Sequence, residues 1–174
     1  MTLPIPIPHL KEAARRKESI ILAKSFKKAS IIHQTTAFLC HSHLDNELAE
    51  GLQVLLQENS WDVYIDWKDN TLPGTPDQET AFRIKEKIVR SEYFIFMATE
   101  NSMRSRWCPW EIGFADNEKI NRKIILIRTS DEDNNWHGNE YLQLYREIAI
   151  GDLGQLEVNT IQHSTRWDPI SNLR

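Results

Sequence analysis

Glu92-Tyr93-Phe94-Ile95-Phe96-Met97-Ala98 is the stretch that decides the fold. Its middle is apolar without alternation, as in a strand covered on both faces. Two other stretches share the property: Thr36-Ala37-Phe38-Leu39-Cys40-His41 before it and Lys123-Ile124-Ile125-Leu126-Ile127-Arg128 after it. Trp61-Asp62-Val63-Tyr64-Ile65 reads as a further strand and Glu147-Ile148-Ala149-Ile150 as a fifth, at the edge. Helical apolar spacing fills the intervals. Leu48, Leu52, Leu55 and Leu56 mark a helix to about Asn59, opened by the capping-box-like Ser42-His43-Leu44-Asp45. Ala81, Ile84 and Ile88 mark a second, from Thr75-Pro76 to about Arg90. A third runs from Trp107–Glu111 to about Ile120, and a short one lies near Glu140–Arg146. This alternation predicts an α/β fold, a five-stranded parallel sheet with right-handed crossovers and helices on both faces. Ligands of such sheets bind beyond the carboxyl ends of the strands, where the topology reverses. The loops after His41, after Ile65 and around Trp107 all lie at that end.

At 174 residues the chain is expected to form one domain around one core. Its 40% hydrophobic and 26% charged content is ordinary for a globular protein, and its net charge of −4 argues against nucleic acid or anionic lipid as a partner. No apolar run reaches the roughly 18 residues of a membrane helix. Met-Thr-Leu-Pro-Ile-Pro-Ile-Pro lacks the basic and apolar regions of a secretory signal, so a cytoplasmic location is expected. Residues 1–34 read as an N-terminal extension with one basic helix over His9–Lys28, residues 35–150 as the α/β domain, and residues 151–174 as an irregular tail.

Chemistry concentrates in Ser105-Arg106-Trp107-Cys108-Pro109-Trp110-Glu111-Ile112-Gly113. Pro109 belongs in a first helical turn, which places Glu111 within about one turn of a helix N-terminus. There the helix dipole favours an ionised carboxylate. A fixed anion walled by indoles can steady a developing cation or hold a sugar diol, whereas a plain helix cap would use the same residue types. Local sequence leaves both readings open. Nowhere does a Gly-rich phosphate loop appear. Cys40, His41 and His43 invite a metal site, but strand alternation turns Cys40 and His41 apart and no second ligand pair has zinc-like spacing. A buried Cys40 and no metal are expected, and two cysteines are too few for a disulfide framework.

Four blocks together resemble a TIR (Toll/interleukin-1 receptor) domain of the bacterial stand-alone kind. Phe38 to Asp45 resembles the family's opening strand and the acid after it. Asp66 to Gly74, with Leu72-Pro73-Gly74, resembles the long loop after the second strand. Ser91 to Met97, followed by Ser102, Ser105 and Trp107-Cys108, resembles the third strand and its Ser-rich exit. Trp107 to Glu111 matches the most specific block, Trp-Cys-x-x-Glu. The resemblance covers about residues 35 to 150 and implies a flavodoxin-like sheet.

It also implies function. Catalytic TIR domains cleave the nicotinamide–ribose bond of NAD+ with the helix Glu that aligns with Glu111. NAD+ is then the substrate, and no resident cofactor is expected. Bacterial versions serve antiphage defence, including Thoeris systems, in which a nucleotide product activates a separate effector. Read as a lone TIR, the chain is expected to signal through such a product, of the cyclic ADP-ribose type, and to assemble through TIR–TIR contacts into a homo-oligomer. His41, Ser42 and His43 can reach the ribose or phosphates, although Ser42 can also be a simple N-cap. The family often has basic residues at the positions of Ser42 and His43, so this chain departs from direct phosphate pairing there. Lys68 can meet the pyrophosphate from the loop beginning at Asp66, or stay solvated. Trp67 can stack on adenine or nicotinamide, or face a neighbouring subunit. Trp107 can wall the pocket or pack beneath the helix. Two other functions remain open: a non-enzymatic TIR–TIR scaffold, in which Glu111 is dispensable, and a nucleoside deoxyribosyltransferase-like enzyme with a covalent glycosyl intermediate.

Overall fold

The computed structural model describes residues 2–16, 35–66, 77–159 and 166–173. In chain order its elements are β1 (Ile5–Pro6), α1 (Ile7–Arg15), β2 (Thr35–Cys40), α2 (Asn46–Glu58), β3 (Trp61–Tyr64), α3 (Gln78–Arg90) and β4 (Tyr93–Ala98). There follow α4 (Glu100–Arg104), α5 (Cys108–Glu118), β5 (Ile124–Ser130), β6 (Arg146–Ile150), β7 (Leu156–Asn159) and β8 (Trp167–Pro169).

The five expected strands pair in parallel in the order β3-β2-β4-β5-β6. This is the flavodoxin-like arrangement, in which the chain steps from β2 outward to β3 and returns on the other side of β2 to form β4. Every residue of β4 is buried, as its unbroken apolar middle requires. Alternation sorts the strand residues into two cores. Leu39, Ile95, Met97, Ile125 and Ile127 pack with α1 and α2. Phe38, Cys40, Phe94, Phe96, Ile124 and Leu126 pack with α3 and α5. Phe38 lies opposite Phe94 in register, and their rings stack at 5.7 Å.

The sheet is larger than five strands. After Gly151, where irregular chain was expected, β7 and β8 add two antiparallel strands, so β6 is interior rather than the edge. β1 pairs in parallel with the far end of β5, Ile5 opposite Thr129. The N-terminal helix starts at Ile7, with Pro8 in its first turn, and the stretch from residue 17 onward of the expected His9–Lys28 helix lies outside the described residues. Ile5 and Leu10 are fully buried, so this segment is part of the main core. α3 is started by Asp77, whose side chain forms a reciprocal capping box with Thr80. Thr75 and Pro76, the expected start, lie outside the described residues. The short helix near Glu140 is a 3-10 turn over Glu140–Leu144.

α1 reaches α2 at Gly51, where an added Cβ would land on the Leu10 carbonyl oxygen. Backbone blocks the space, so no rotamer change relieves it. Gly51→Ala is expected to cost about 1–3 kcal/mol and lower Tm by about 2–12 °C. Gly113→Ala, in open space on α5, is expected to raise Tm slightly through helix propensity. Thermal denaturation of the two variants checks the opposed signs.

Candidate active site

The carboxyl ends of β2, β3 and β4 converge on a cavity of about 610 Å3 at the point where the sheet order reverses. Its walls come from His41, Ser42, His43 and Leu44 after β2, Asp66 after β3, Thr80 and Ile84 of α3, and Asn101, Arg104, Ser105, Arg106 and Trp107 between β4 and α5. Glu111 of α5 completes it. A second cavity of about 620 Å3 runs along β3 at the sheet edge, from Thr36 and Asp62 to Ile65, and takes in Lys87 and Arg90 of α3. It includes none of the residues after β2 or between β4 and α5, where the sheet order reverses.

Glu111 stands in the first turn of α5, and its N–H donates to the Trp107 carbonyl at 2.9 Å. Capping is done by another residue: Ser105 Oγ accepts from the N–H groups of Trp107 at 3.2 Å and Cys108 at 3.3 Å. The Glu111 side chain is thus not needed as a cap. It is 4% exposed, and no cation among the described residues pairs with it. Burial pushes its carboxyl well above the ordinary carboxylate range, and the electrostatic effect of the neighbouring Cys108 and Asp66 adds to the push. A hydrogen bond with Cys40 works the other way but is smaller. The expectation of a carboxylate held ionised by the helix dipole is therefore corrected. Despite its place in a first helical turn, Glu111 is governed by desolvation and holds its proton more tightly than an ordinary Glu. Burial also raises the Cys40 thiol, which lies beside the carboxyl with its Sγ 3.9 Å from the Cys108 carbonyl.

Six of the residues singled out from sequence meet at this cavity: Glu111, Trp107, His41, Ser42, His43 and Asp66. Trp67 and Lys68 lie outside the described residues. Trp107 is half-buried, with its ring edge-on to Trp110 at 5.4 Å, so it both walls the cavity and packs. Trp110 stacks on Phe114, where Lys85 covers the ring, and belongs to the packing. Ser42 Oγ accepts from Leu44 N–H, the N-cap role, at the head of a 3-10 turn over His43–Asp45. His43 is exposed at the rim. His41 is buried, its Nδ1 3.1 Å from the Leu39 carbonyl and its Nε2 3.9 Å from Asp66 Oδ1.

Other residues of the site escaped the sequence reading. Asp45 was read as part of a helix start, yet its side chain makes no cap hydrogen bond. Its buried carboxylate accepts from Thr99 Oγ1 at 2.5 Å and Asn101 Nδ2 at 2.7 Å, tying the loop after β2 to α4. Arg104 and Arg106 also line the cavity. Both are exposed, and Arg104 pairs with Glu100 along α4. Their position just before Trp107 is the one signal that places them here.

Comparison with known proteins agrees with the geometry. Residues 37–157 match the TIR-domain family model. A Bacillus cereus protein, named probable 3' cyclic ADP-D-ribose synthase ThsB', is 33% identical over 135 residues, covering 76% of this chain and 70% of that protein. A Cytobacillus dafuensis protein, provisionally named cyclic ADP-D-ribose synthase TIR2, is 24% identical over 98 residues, covering 55% of this chain and 25% of that protein. A sheet in flavodoxin order, a Glu set behind Trp-Cys at its switch point and the match across residues 37–157 establish that this chain belongs to the TIR-domain family.

Proposed function

We propose that this protein cleaves the nicotinamide–ribose bond of NAD+ in bacterial antiphage immunity and closes the ADP-ribosyl unit into a cyclic signal that activates a separate effector. The observation that carries this reading is Glu111, buried at the switch-point cavity with no cation among the described residues beside it. Folding alone does not favour an uncompensated acid there. A cationic guest does. The names of both relatives, each a cyclic ADP-D-ribose synthase, supply the product class.

Nicotinamide in NAD+ is already a cationic leaving group, so its departure needs no protonation. The ribosyl centre left behind is oxocarbenium-like, and a carboxylate against it stabilises the developing charge. Positive charge entering the cavity favours the ionised form of Glu111, opposing the effect of burial. Trp107 walls the ribosyl pocket, with His41, Ser42, His43 and Asp66 bordering the sugar and phosphates. Arg104 and Arg106 supply rim cations for the pyrophosphate, beside the role the family resemblance gives Trp67 and Lys68. Residues 35–150 carry this chemistry, flanked by 1–34 and 151–174. The working form is a homo-oligomer built through TIR–TIR contacts, located in the cytoplasm. No helix among the described residues is long and apolar enough to cross a membrane.

Incubation of the purified protein with NAD+, alone and with lysate of phage-infected cells, is expected to release nicotinamide and yield a product with the mass of cyclised ADP-ribose. No nicotinamide under either condition would sink the enzymatic reading in favour of a scaffold.

A further inference from the structure

Cleaving NAD+ is half of the reaction. In a 3'-linked product, the linkage printed in the name of the Bacillus cereus relative, the ribosyl carbon is captured by a ribose hydroxyl, which has to lose its proton as the new C–O bond forms. While the hydroxyl attacks, the charge of Glu111 is engaged with the ribosyl cation, so a second carboxylate is needed to take the proton at that moment. Asp66 is differently placed. It follows β3 and lines the same cavity, its side chain is 29% exposed, and its charge is close enough to act on Glu111. Behind it stands the buried imidazole of His41, with Nε2 3.9 Å from Asp66 Oδ1. The Leu39 carbonyl can only accept, so the 3.1 Å contact fixes the hydrogen of neutral His41 on Nδ1. Nε2 is then the basic nitrogen, and it faces the carboxylate.

We propose that Asp66 is the proton acceptor of the capture step and that His41 receives the proton from it. The proposal rests on the NAD+-cleaving reading above. The C–N bond to nicotinamide breaks with its electron pair going to the ring nitrogen, and neutral nicotinamide departs. An oxygen lone pair of the attacking ribose hydroxyl forms the new bond to the anomeric carbon. The hydroxyl proton passes to Asp66 and, once Oδ1 and Nε2 close from 3.9 Å to hydrogen-bond distance, on to His41 Nε2, leaving an imidazolium held between the Leu39 carbonyl and the Asp66 carboxylate. Release of that proton to solvent completes NAD+ → nicotinamide + cyclic ADP-ribose + H+. With water as nucleophile the same relay yields linear ADP-ribose. His41 is a positioning and relay residue, since its Nε2 is closed off by the protein; Asp66 meets the substrate.

Two reactions of the ribosyl cation need no proton acceptor: recapture by nicotinamide and capture by azide. Wild type, Asp66→Asn, His41→Gln and Glu111→Gln are compared for cyclic and linear product, for exchange of labelled nicotinamide into NAD+, and for ADP-ribosyl azide formed in excess azide. Asp66→Asn is expected to lose about 10²-fold or more of both natural products. It should retain nicotinamide exchange and regain net turnover with azide. His41→Gln should lose about tenfold in the same pattern, and Glu111→Gln should lose all three reactions. Asp66→Asn that still cyclises at the wild-type rate, or that loses exchange and azide capture together with cyclisation, overturns the assignment while the cleavage reading stands. A wild type that releases no nicotinamide overturns both.

Discussion

Glu111→Gln is expected to abolish NAD+ cleavage and to make the protein more stable. The amide keeps the shape of the side chain and a carbonyl for the Cys40 thiol, but it cannot carry the charge that meets the ribosyl cation. Loss of one preorganised electrostatic partner costs about 10²–10³-fold in turnover, and more when it is the principal one. Ordinary core damage would lower activity and stability together. Here they should move apart, because the native site holds an acid whose ionisation the fold opposes.

The pH dependence fixes the sign. Burial first, then the electrostatic effect of Cys108 and Asp66, raise the folded-state pKa of Glu111 above its ordinary value of 4.5. Below that value the group is protonated in both the folded and unfolded chain, and it contributes no difference. As pH rises past it, the unfolded chain ionises while the folded chain keeps the proton, so wild-type stability falls until the folded pKa is passed. Each pH unit in that window costs about 1.4 kcal/mol, or about 3–6 °C in Tm. The Tm advantage of Glu111→Gln should therefore be near zero at about pH 4 and widen toward neutrality. An advantage that is absent at neutral pH, or flat with pH, would show that Glu111 is stably ionised in the folded protein. Wild-type kcat/KM should rise with pH through the same raised value, since only the ionised form complements the cation.

Sequence carried the parallel sheet because β4 has no polar face to alternate with. β7 was not legible, because Leu156-Glu157-Val158-Asn159 is too short and too regularly half-polar to stand apart from a loop. β8 ends in Pro169, which suits the edge position it occupies. The N-terminal segment was read as a solvated addition because its many charges hide two buried anchors, Ile5 and Leu10. Within the site, Pro109 and the tryptophans were enough to place Glu111 in a first helical turn. Its protonation was not readable, because the dipole is a local property whereas burial comes from β2, the loop after β3 and α5 together. Asp45 failed for the same reason: its partner Thr99 lies 54 residues along the chain.

Asp45→Ala is the second change expected to have a large effect. The Asp45 carboxylate is buried, and it is the shared acceptor of two hydrogen bonds that join the two loops walling the cavity. Thr99 cannot simply turn away, because its Oγ1 also accepts from Ser102 N–H to cap α4. Removing the acceptor strands a buried hydroxyl and frees the Asn101 amide. Hydrogen bonds to a charged group contribute about 1.5–3 kcal/mol each, so a loss of about 3 kcal/mol, or about 6–12 °C in Tm, is expected. Activity should fall further than stability implies, since a shift of about 1 Å between the His41–Leu44 loop and α4 can cost about 10²-fold by misplacing the substrate. Asp45→Asn is the discriminating variant. Its carbonyl can accept from Thr99, and the Asn101 amide can turn its own oxygen toward the new NH2. Most of the stability and activity should return, and a variant as damaged as Asp45→Ala would mean that the charge itself, and not the tie between the loops, is what the site requires.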